Sequence, residues 1–183
     1  MKYRISAVLI LVSFFYISAQ KIYWSEGRKL VWEDFKSKTN HLKGSDVVAF
    51  TNCGWEYSAK TTTDPKAAVE IEILTVFNSE KSWKDVARIS DYVLLHEQKH
   101  FDIAEIFARK FRKEASEKIK TSADYKKLFS NLYQNILKEY KNYQRTYDAE
   151  TNHGNNKEKQ EYYNNLISEE LQKLNNYRHI EVS

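Results

Sequence analysis

Two histidines and a glutamate lie close together in His96-Glu97-x-x-His100, within the apolar-flanked segment LLHEQKHFDI. If this segment is helical, one turn separates the histidines, so both imidazoles can approach a single metal ion. A zinc ion held by three protein ligands keeps a fourth position for water. Glu97 lies about 60° around the helix from His100, where it can accept a proton from water without binding the ion. The spacing indicates a metal-dependent hydrolytic centre.

The alternative interpretation is an amphipathic helix with two accidental histidines. At about 100° per residue, the histidines share a stripe with apolar residues, namely Ile89, Val93, Ile103, Phe107 and Phe111. The histidines should therefore face the core, and the opposite side should be polar, with Asp91, Gln98, Asp102, Glu105 and Arg109. Burying two imidazoles beside a carboxylate is costly unless a cation compensates them, which favours metal binding.

A third ligand must come from elsewhere in the chain. His41 is expected in an N-terminal loop, His179 in the tail, and Glu105 on the far side of its helix. His153 is better placed, because Gly154 permits a sharp turn between two later helices that would return the chain toward the first. For His153 alone, an exposed loop residue without a metal is the competing interpretation.

The same region offers polar residues that could assist a reaction. Tyr147, Arg145 and His179 are candidates for stabilising a developing oxyanion, and we choose Tyr147 as a catalytic residue. Asp148 could hold a ligand imidazole through its second nitrogen, as carboxylates beside metal sites commonly do, although turn formation is the competing role.

Composition limits the class of protein. The 183 residues are 42% hydrophobic, which suffices for one domain with a core of its own. The net charge of +4 is spread along the chain without a basic stripe, so we expect no nucleic-acid partner. Cys53 is the single cysteine, which excludes an intramolecular disulfide, and a small buried side chain is its expected role.

Residues 1–19 have the pattern of a signal peptide. Lys2 and Arg4 precede an apolar run, and Ser18-Ala19 provides a small-residue cleavage site before Gln20. The apolar run is shorter than the roughly 20 residues that cross a bilayer, so no stable membrane insertion is expected after cleavage. The sequence predicts a secreted or periplasmic protein that is not a lipoprotein.

The mature chain divides into a strand-rich part, residues 20–80, and a helical part, residues 81–178. Three strands are predicted, at Lys29–Phe35, Val47–Ala59 and Ala68–Phe77. Ser82-x-x-Asp85 resembles a capping box that would begin a helix reaching about Lys120. A second helix should follow Thr121 and Ser122, and a loop should occupy Tyr147–Asn156. A third helix should span Lys157–Asn176, before a solvated C-terminal end.

The strand Ala68–Phe77 alternates most clearly. Val69, Ile71 and Ile73 point to one face, whereas Glu70 and Glu72 point to the other, as in a sheet with one wet face. If this strand formed a sheet edge above the cleft, an extended peptide could pair with it through main-chain hydrogen bonds.

The stretches HEQKHFDIAEIFARKFRKE and YDAETNHGNNKEKQEYY resemble a bacterial family of secreted zinc-dependent proteases known as domain of unknown function 922. The resemblance extends to LVWEDF, AFTNCGWEY and IEILTVFNSEKSW, although Tyr163 stands where the family often has tryptophan. It implies an α+β, zincin-like fold, with a small N-terminal antiparallel sheet packed on three long C-terminal helices. It also implies Zn²⁺ held by His96, His100 and His153, Glu97 as acid and base, and a peptide or protein substrate.

Two other classes of function remain open. The chain could be a periplasmic binding or envelope-assembly module whose zinc is structural, but a structural site needs no base at Glu97. It could also be a helical interaction module, since 13 tyrosines are present. The spacing of Tyr125, Tyr133, Tyr140 and Tyr143 is nevertheless explained by ordinary helix packing.

Overall fold

The structure is a computed structural model, which describes residues 20–38 and 47–182. The predicted signal peptide, residues 1–19, and His41 lie outside the described residues. In the two described ranges, no helix has both the length and the apolar character needed to cross a membrane.

In the described residues, five strands precede three long helices along the chain, and a sixth strand follows them. The strands are β1 (Lys21–Tyr23), β2 (Ala49–Phe50), β3 (Cys53–Lys60), β4 (Glu70–Asn78), β5 (Trp83–Lys84) and β6 (Glu181–Val182). The helices are α1 (Asp91–Lys118), α2 (Ser122–Thr151) and α3 (Lys157–Lys173). This order confirms an α+β protein with small antiparallel sheets and three helices.

The larger sheet is built around β4. One edge of β4 pairs with β3, and its other edge pairs with β1 near one end and with β6 near the other, all antiparallel. Ile71, Ile73 and Phe77 are buried, as the alternation predicts. Because β4 has neighbouring strands on both sides, it is not a sheet edge. The expectation that an extended peptide could pair with this strand is therefore wrong.

The predicted strand at Lys29–Phe35 is wrong. Its centre is a 3₁₀ turn at Trp32–Asp34, in which the carboxylate of Asp34 accepts a hydrogen bond of 2.8 Å from the Val31 amide. The same carboxylate accepts from Arg28 at 2.7 Å. These local bonds of a buried acid override the apolar alternation that favoured a strand.

The predicted strand at Val47–Ala59 is two strands. Between β2 and β3, the Asn52 amide donates to Ser82 Oγ at 2.9 Å, and the Asn52 carbonyl accepts from the Asn78 amide at 2.9 Å. These bonds turn the chain, so that β2 pairs with β5 in a separate two-stranded sheet while β3 joins β4.

Helix α1 begins later than the capping-box pattern predicts. Ser82 hydrogen bonds to Asn78 in a 3₁₀ turn, and β5 follows it directly. The cap is Ser90, whose side chain accepts from the Val93 amide at 3.2 Å. The Ser-x-x-Asp pattern at residue 82 therefore belongs to a turn that leads into a strand.

Helix α2 extends further than predicted. It runs through Tyr147 and Asp148 to Thr151, so the connecting loop consists of residues 152–156 only. Asn152, His153 and Gly154 have φ angles of 49°, 50° and 84°, a left-handed run that ends the helix and reverses the chain. Helix α3 then packs against α1.

Helix α1 is buried on both sides, which the sequence did not predict. Its apolar face lies in the main core, while Gln98, Asp102, Glu105 and Arg109 on the opposite face are also buried. Glu105 accepts hydrogen bonds from Thr75 at 2.6 Å, Arg109 at 2.8 Å and Arg112 at 3.0 Å. These partners compensate the buried charge and let the sheet and α3 cover this face.

Candidate metal centre

His96 and His100 meet on the buried face of α1. Their Nε2 atoms lie 3.2 Å apart, and the two imidazole planes are nearly perpendicular. His96 is 2% exposed, and both side chains border the same cleft. The helical spacing therefore brings both ring nitrogens to one point, as the sequence predicts.

The carboxylate of Asp148 joins the two histidines from α2. Its Oδ1 lies 2.9 Å from His100 Nε2 and 3.3 Å from His96 Nε2. Ligand atoms of His96, His100 and Asp148 all lie within 4.8 Å of one another. Asp148 Oδ1 is buried and, within the described part of the chain, has no hydrogen-bond partner of good geometry. Such a site attracts a cation.

Two glutamine side chains fix the protonation of the imidazoles. Gln144 Oε1 lies 2.5 Å from His100 Nδ1, and Gln160 Oε1 lies 2.9 Å from His96 Nδ1. The Gln144 amide nitrogen donates to the His100 carbonyl, and that of Gln160 donates to Asn164 Oδ1, so both oxygens must face the rings. Each Nδ1 is therefore the donor.

The consequence is that each Nε2 carries a lone pair in the neutral imidazole. Two lone pairs and a carboxylate oxygen then converge on one point, and none of these atoms can donate a hydrogen bond to the others. A proton or a metal ion satisfies such a set. Two imidazoles with one carboxylate are a common ligand set for catalytic zinc.

The contact between His100 and Asp148 favours the protonated imidazole and the ionised carboxylate. Burial lowers the pKa of His100, but the adjacent carboxylate of Asp148 outweighs it and raises the pKa to about 9. Burial would raise the pKa of Asp148, yet the neighbouring imidazoles of His100 and His96 hold it far below its usual range. Asp148 is thus a carboxylate whenever the protein is folded at ordinary pH.

Glu97 borders the cleft beside these residues. It is 4% exposed, and its Oε2 is buried without a hydrogen-bond partner among the described residues. The carbonyl of Glu97 accepts a hydrogen bond from Thr51 at 3.4 Å, which links α1 to the segment after β2. A buried carboxylate oxygen that faces a cleft without a donor is available to accept a proton there.

His153 lies at the margin of this cluster. Its Nδ1 is 3.6 Å from Asp148 Oδ1, and its side chain is 42% exposed. Gly154 brings the loop close to the site, because a Cβ at this position would lie 3.2 Å from Cγ of His96. The structure thus places His153 next to the three grouped residues, and its role as a ligand stays a prediction.

Tyr147 does not reach the cleft as the oxyanion role requires, and Asp148 does not contact the second nitrogen of a ligand imidazole. Tyr147 is fully buried behind His96, stacked on its ring at 4.7 Å, and its hydroxyl donates to the His96 carbonyl at 3.2 Å and accepts from Gln160 Nε2 at 2.8 Å. This hydroxyl cannot meet a substrate in the cleft, so Tyr147 supports His96. Asp148 faces Nε2, because Gln144 and Gln160 occupy the Nδ1 positions.

The other two oxyanion candidates lie on opposite sides of α1. Arg145 borders the cleft, whereas His179 borders a cavity on the far side, beside Glu105 and Arg109. The sequence could not separate them, since the extent of α2 decides which side chains reach the cleft. Gln144 was missed for the same reason, although its spacing of four residues from Asp148 places both on one helix face.

The cleft has a volume of about 570 Å³ and two contrasting walls. Val47, Val48, Ala49 and Phe50 form one wall, which is apolar. Residues of α2 form the other, which carries Lys141, Gln144, Arg145 and Asp148. The candidate metal ligands and Glu97 border the space between these walls, so a molecule in the cleft can reach them.

Comparison with known protein families gives one match. The model of a family described as a bacterial protein of unknown function, DUF922, matches residues 31–154, about two thirds of the chain. The match includes His96, Glu97, His100, Asp148 and His153. Neither the curated proteins nor the solved structures contain a match to the chain.

Proposed function

The chain belongs to the DUF922 family of bacterial proteins of unknown function, and for this member we propose a zinc-dependent peptidase of the zincin type. The observation that carries the proposal is the convergence of His96, His100 and Asp148, whose ligand atoms lie within 4.8 Å of one another. Glu97 borders the same cleft, and its Oε2 has no hydrogen-bond partner among the described residues. The HExxH spacing and the sequence resemblance to secreted zinc-dependent proteases support the same reaction.

His96, His100 and Asp148 would hold the metal ion, and His153 is the residue available to complete the set. The donor chemistry fits zinc, because imidazole nitrogen and carboxylate oxygen are ligands it accepts. Gln144 and Gln160 keep the lone pairs of both Nε2 atoms directed at the site. Zinc bound there would supply Lewis acidity toward a carbonyl group and toward water.

Glu97 would move the protons. Its carboxylate accepts a proton from the water molecule that attacks the substrate carbonyl carbon, and the oxygen of that water forms the new C–O bond. When the C–N bond breaks, Glu97 returns the proton to the leaving amine. The buried, unpartnered Oε2 supports this role, since no other described side chain occupies it with a hydrogen bond.

The wall formed by β2 supports an extended peptide as the substrate. Ala49 pairs with Lys84, and the Asp85 amide donates to the Val48 carbonyl, so the N–H and C=O of Ala49 point away from β5. Within the described ranges, no strand pairs with this edge of β2. An extended chain can add here by main-chain hydrogen bonds, as β4 cannot.

A structural zinc site in a periplasmic binding or envelope-assembly module is the second candidate from the sequence. Glu97 argues against it, because a closed structural site does not require a buried carboxylate that faces a cleft. We place the proposed activity outside the cytoplasm, secreted or periplasmic, on the sequence pattern of residues 1–19.

The experiment compares metal content and peptide hydrolysis in the purified protein and its variants. We expect one zinc per chain, retained in Glu97→Gln but lost in His96→Ala, and hydrolysis abolished in both. His179→Ala is the matched control, because His179 lies across α1 from the cleft. Equal hydrolysis by the wild type and Glu97→Gln would reject the role of Glu97, and protein that binds no zinc would reject the metal centre.

A further inference from the structure

The helical wall of the cleft carries two cations that the proposed reaction does not use. Lys141 and Arg145 both border the cleft and are exposed. Arg145 donates a hydrogen bond to Asn142, its neighbour on α2, but the ion pairs of the described residues include neither cation. Both cations therefore border the cleft without an acidic partner among the described residues.

This arrangement differs from that of two other exposed cations, Lys118 of α1 and Lys173 of α3. Lys118 pairs with Glu114 and Lys173 pairs with Glu169, each four residues apart. Lys141 and Arg145 have the same spacing but like charges, which destabilises a helix slightly. Helix stability thus gives no reason for this pair, whereas a bound anion between the two side chains would offset their repulsion.

The remaining charges in the cleft leave these cations uncompensated. The acidic residues that border it within the described chain are Glu97 and Asp148. Asp148 faces the histidines, and a divalent ion held there would balance the two carboxylates. The opposite wall, residues 47–50, is apolar. The field in the cleft is therefore positive along α2.

Helix geometry gives the separation of the two cations from Asp148, one of the candidate metal ligands. Arg145 lies about 4.5 Å and Lys141 about 10 Å from Asp148 along the axis of α2, at 1.5 Å per residue. An extended peptide advances about 3.3 Å per residue. A side chain one to three residues from the cleaved bond would therefore lie opposite this pair.

Resting on the peptidase function proposed above, we infer that the cleft selects peptides with an aspartate or glutamate one to three residues from the cleaved bond, bound by Lys141 and Arg145. The apolar wall and the free edge of β2 hold the main chain, and the two cations bind the acidic side chain. The site thus distinguishes acidic from neutral peptides of equal length.

The test uses pairs of amidated peptides that differ only by glutamate or glutamine at one position, scanned on both sides of the cleaved bond. We expect kcat/KM to favour glutamate by roughly tenfold at the preferred position, the effect of one charge-assisted hydrogen bond. In Lys141→Gln/Arg145→Gln the ratio should approach one. Lys138→Gln, an exposed cation of α2 outside the cleft, should keep the wild-type ratio.

A third peptide with a free C-terminus and no acidic side chain separates the two sources of a carboxylate. If only this peptide is preferred, the assignment to an acidic side chain is wrong. Binding of the same peptides to Glu97→Gln separates the inference from the proposed hydrolysis. Tighter binding of the acidic peptide without cleavage by the wild type would reject the peptidase alone, whereas equal binding would reject the inference.

Discussion

Oε1 of Gln144 accepts a hydrogen bond from Nδ1 of His100 at 2.5 Å, while the amide nitrogen of Gln144 donates to the main-chain carbonyl of His100. One side chain thus holds both the ring and the backbone of His100. The bond sets which ring nitrogen carries the proton, and so which nitrogen can bind a metal ion. Gln160 does the same for the ring of His96.

Replacing Gln144 with leucine should weaken metal binding without removing a ligand. Because the ring of His100 would lose its acceptor, we expect zinc affinity to fall by about 10- to 100-fold. Gln144→Glu retains an acceptor and should bind more tightly than the leucine variant. Competition with a chelator measures the affinity, and Gln134→Leu, exposed on the same helix, should match the wild type.

Asp148 and His153 should differ in their effect on metal content. Asp148→Asn removes the charge that lies within 3.3 Å of both Nε2 atoms, so we expect loss of bound zinc on dialysis. His153→Ala removes a more exposed residue, and we expect weaker binding with zinc still detectable. Zinc analysis after dialysis checks both, and full retention by Asp148→Asn would exclude it from the ligand set.

Gly154→Ala should destabilise the protein. The φ of 84° is strained for alanine, and its Cβ would lie 3.2 Å from His96 Cγ. We expect a loss of about 1–2 kcal/mol in the free energy of unfolding. Gly27→Ala is the control, because a Cβ at that position would meet no atom within 4 Å beyond its chain neighbours, and it should be near neutral. Urea unfolding measures both.

Because of Tyr143, the free energy of unfolding should fall as the pH rises above 10. Burial raises the pKa of its phenol to about 12, from an ordinary value of 10.0. The unfolded chain therefore loses this proton first, so the contribution to stability is complete below pH 10 and is lost as the pH rises through 12. Tyr143→Phe should show a smaller fall between these values, measured as the free energy of unfolding against pH.

The same substitution should not harm the protein at neutral pH. The Tyr143 hydroxyl is buried without a hydrogen-bond partner among the residues the structure describes, so removing it eliminates an unsatisfied group. We expect a free energy of unfolding equal to the wild type or higher by about 1 kcal/mol. Tyr162→Phe, at an exposed residue, should change neither value. A stability loss in Tyr143→Phe would show that the hydroxyl has a partner.

Arg112 should be essential for stability on the far side of α1. It donates to Glu105 and to the carbonyls of Ile73 and Tyr177, joining the helix to β4 and to the segment after α3. Arg112→Leu leaves these acceptors unpaired, and we expect a loss of about 3–5 kcal/mol. Lys113→Leu is the matched control, and thermal unfolding compares the two.

The sequence predicted those features that depend on local periodicity. The phase of α1, the pair His96 and His100, and the alternation in β4 all follow from residue spacing within one element. The short strands β1, β5 and β6 were not predictable in this way, because their conformation depends on distant partners.

The position of Asp148 shows where local reasoning fails. The sequence predicts a loop at Tyr147–Asn156, but α2 continues to Thr151, because Tyr147 and Thr151 are fully buried against neighbouring elements. The same burial turned Tyr147 away from the cleft. Tertiary packing therefore decided which of two adjacent side chains reached the histidines.

The pairing of β4 also bears on how the chain folds during synthesis. β6 pairs with Ile71 and Glu72, and the Ile73 amide donates to the Ile180 carbonyl. This part of β4 can form its main-chain hydrogen bonds to β6 only after residues 180–182 have left the ribosome. A nascent chain that ends earlier therefore exposes unpaired main-chain groups of its central strand, where other chains can attach until the native partner arrives.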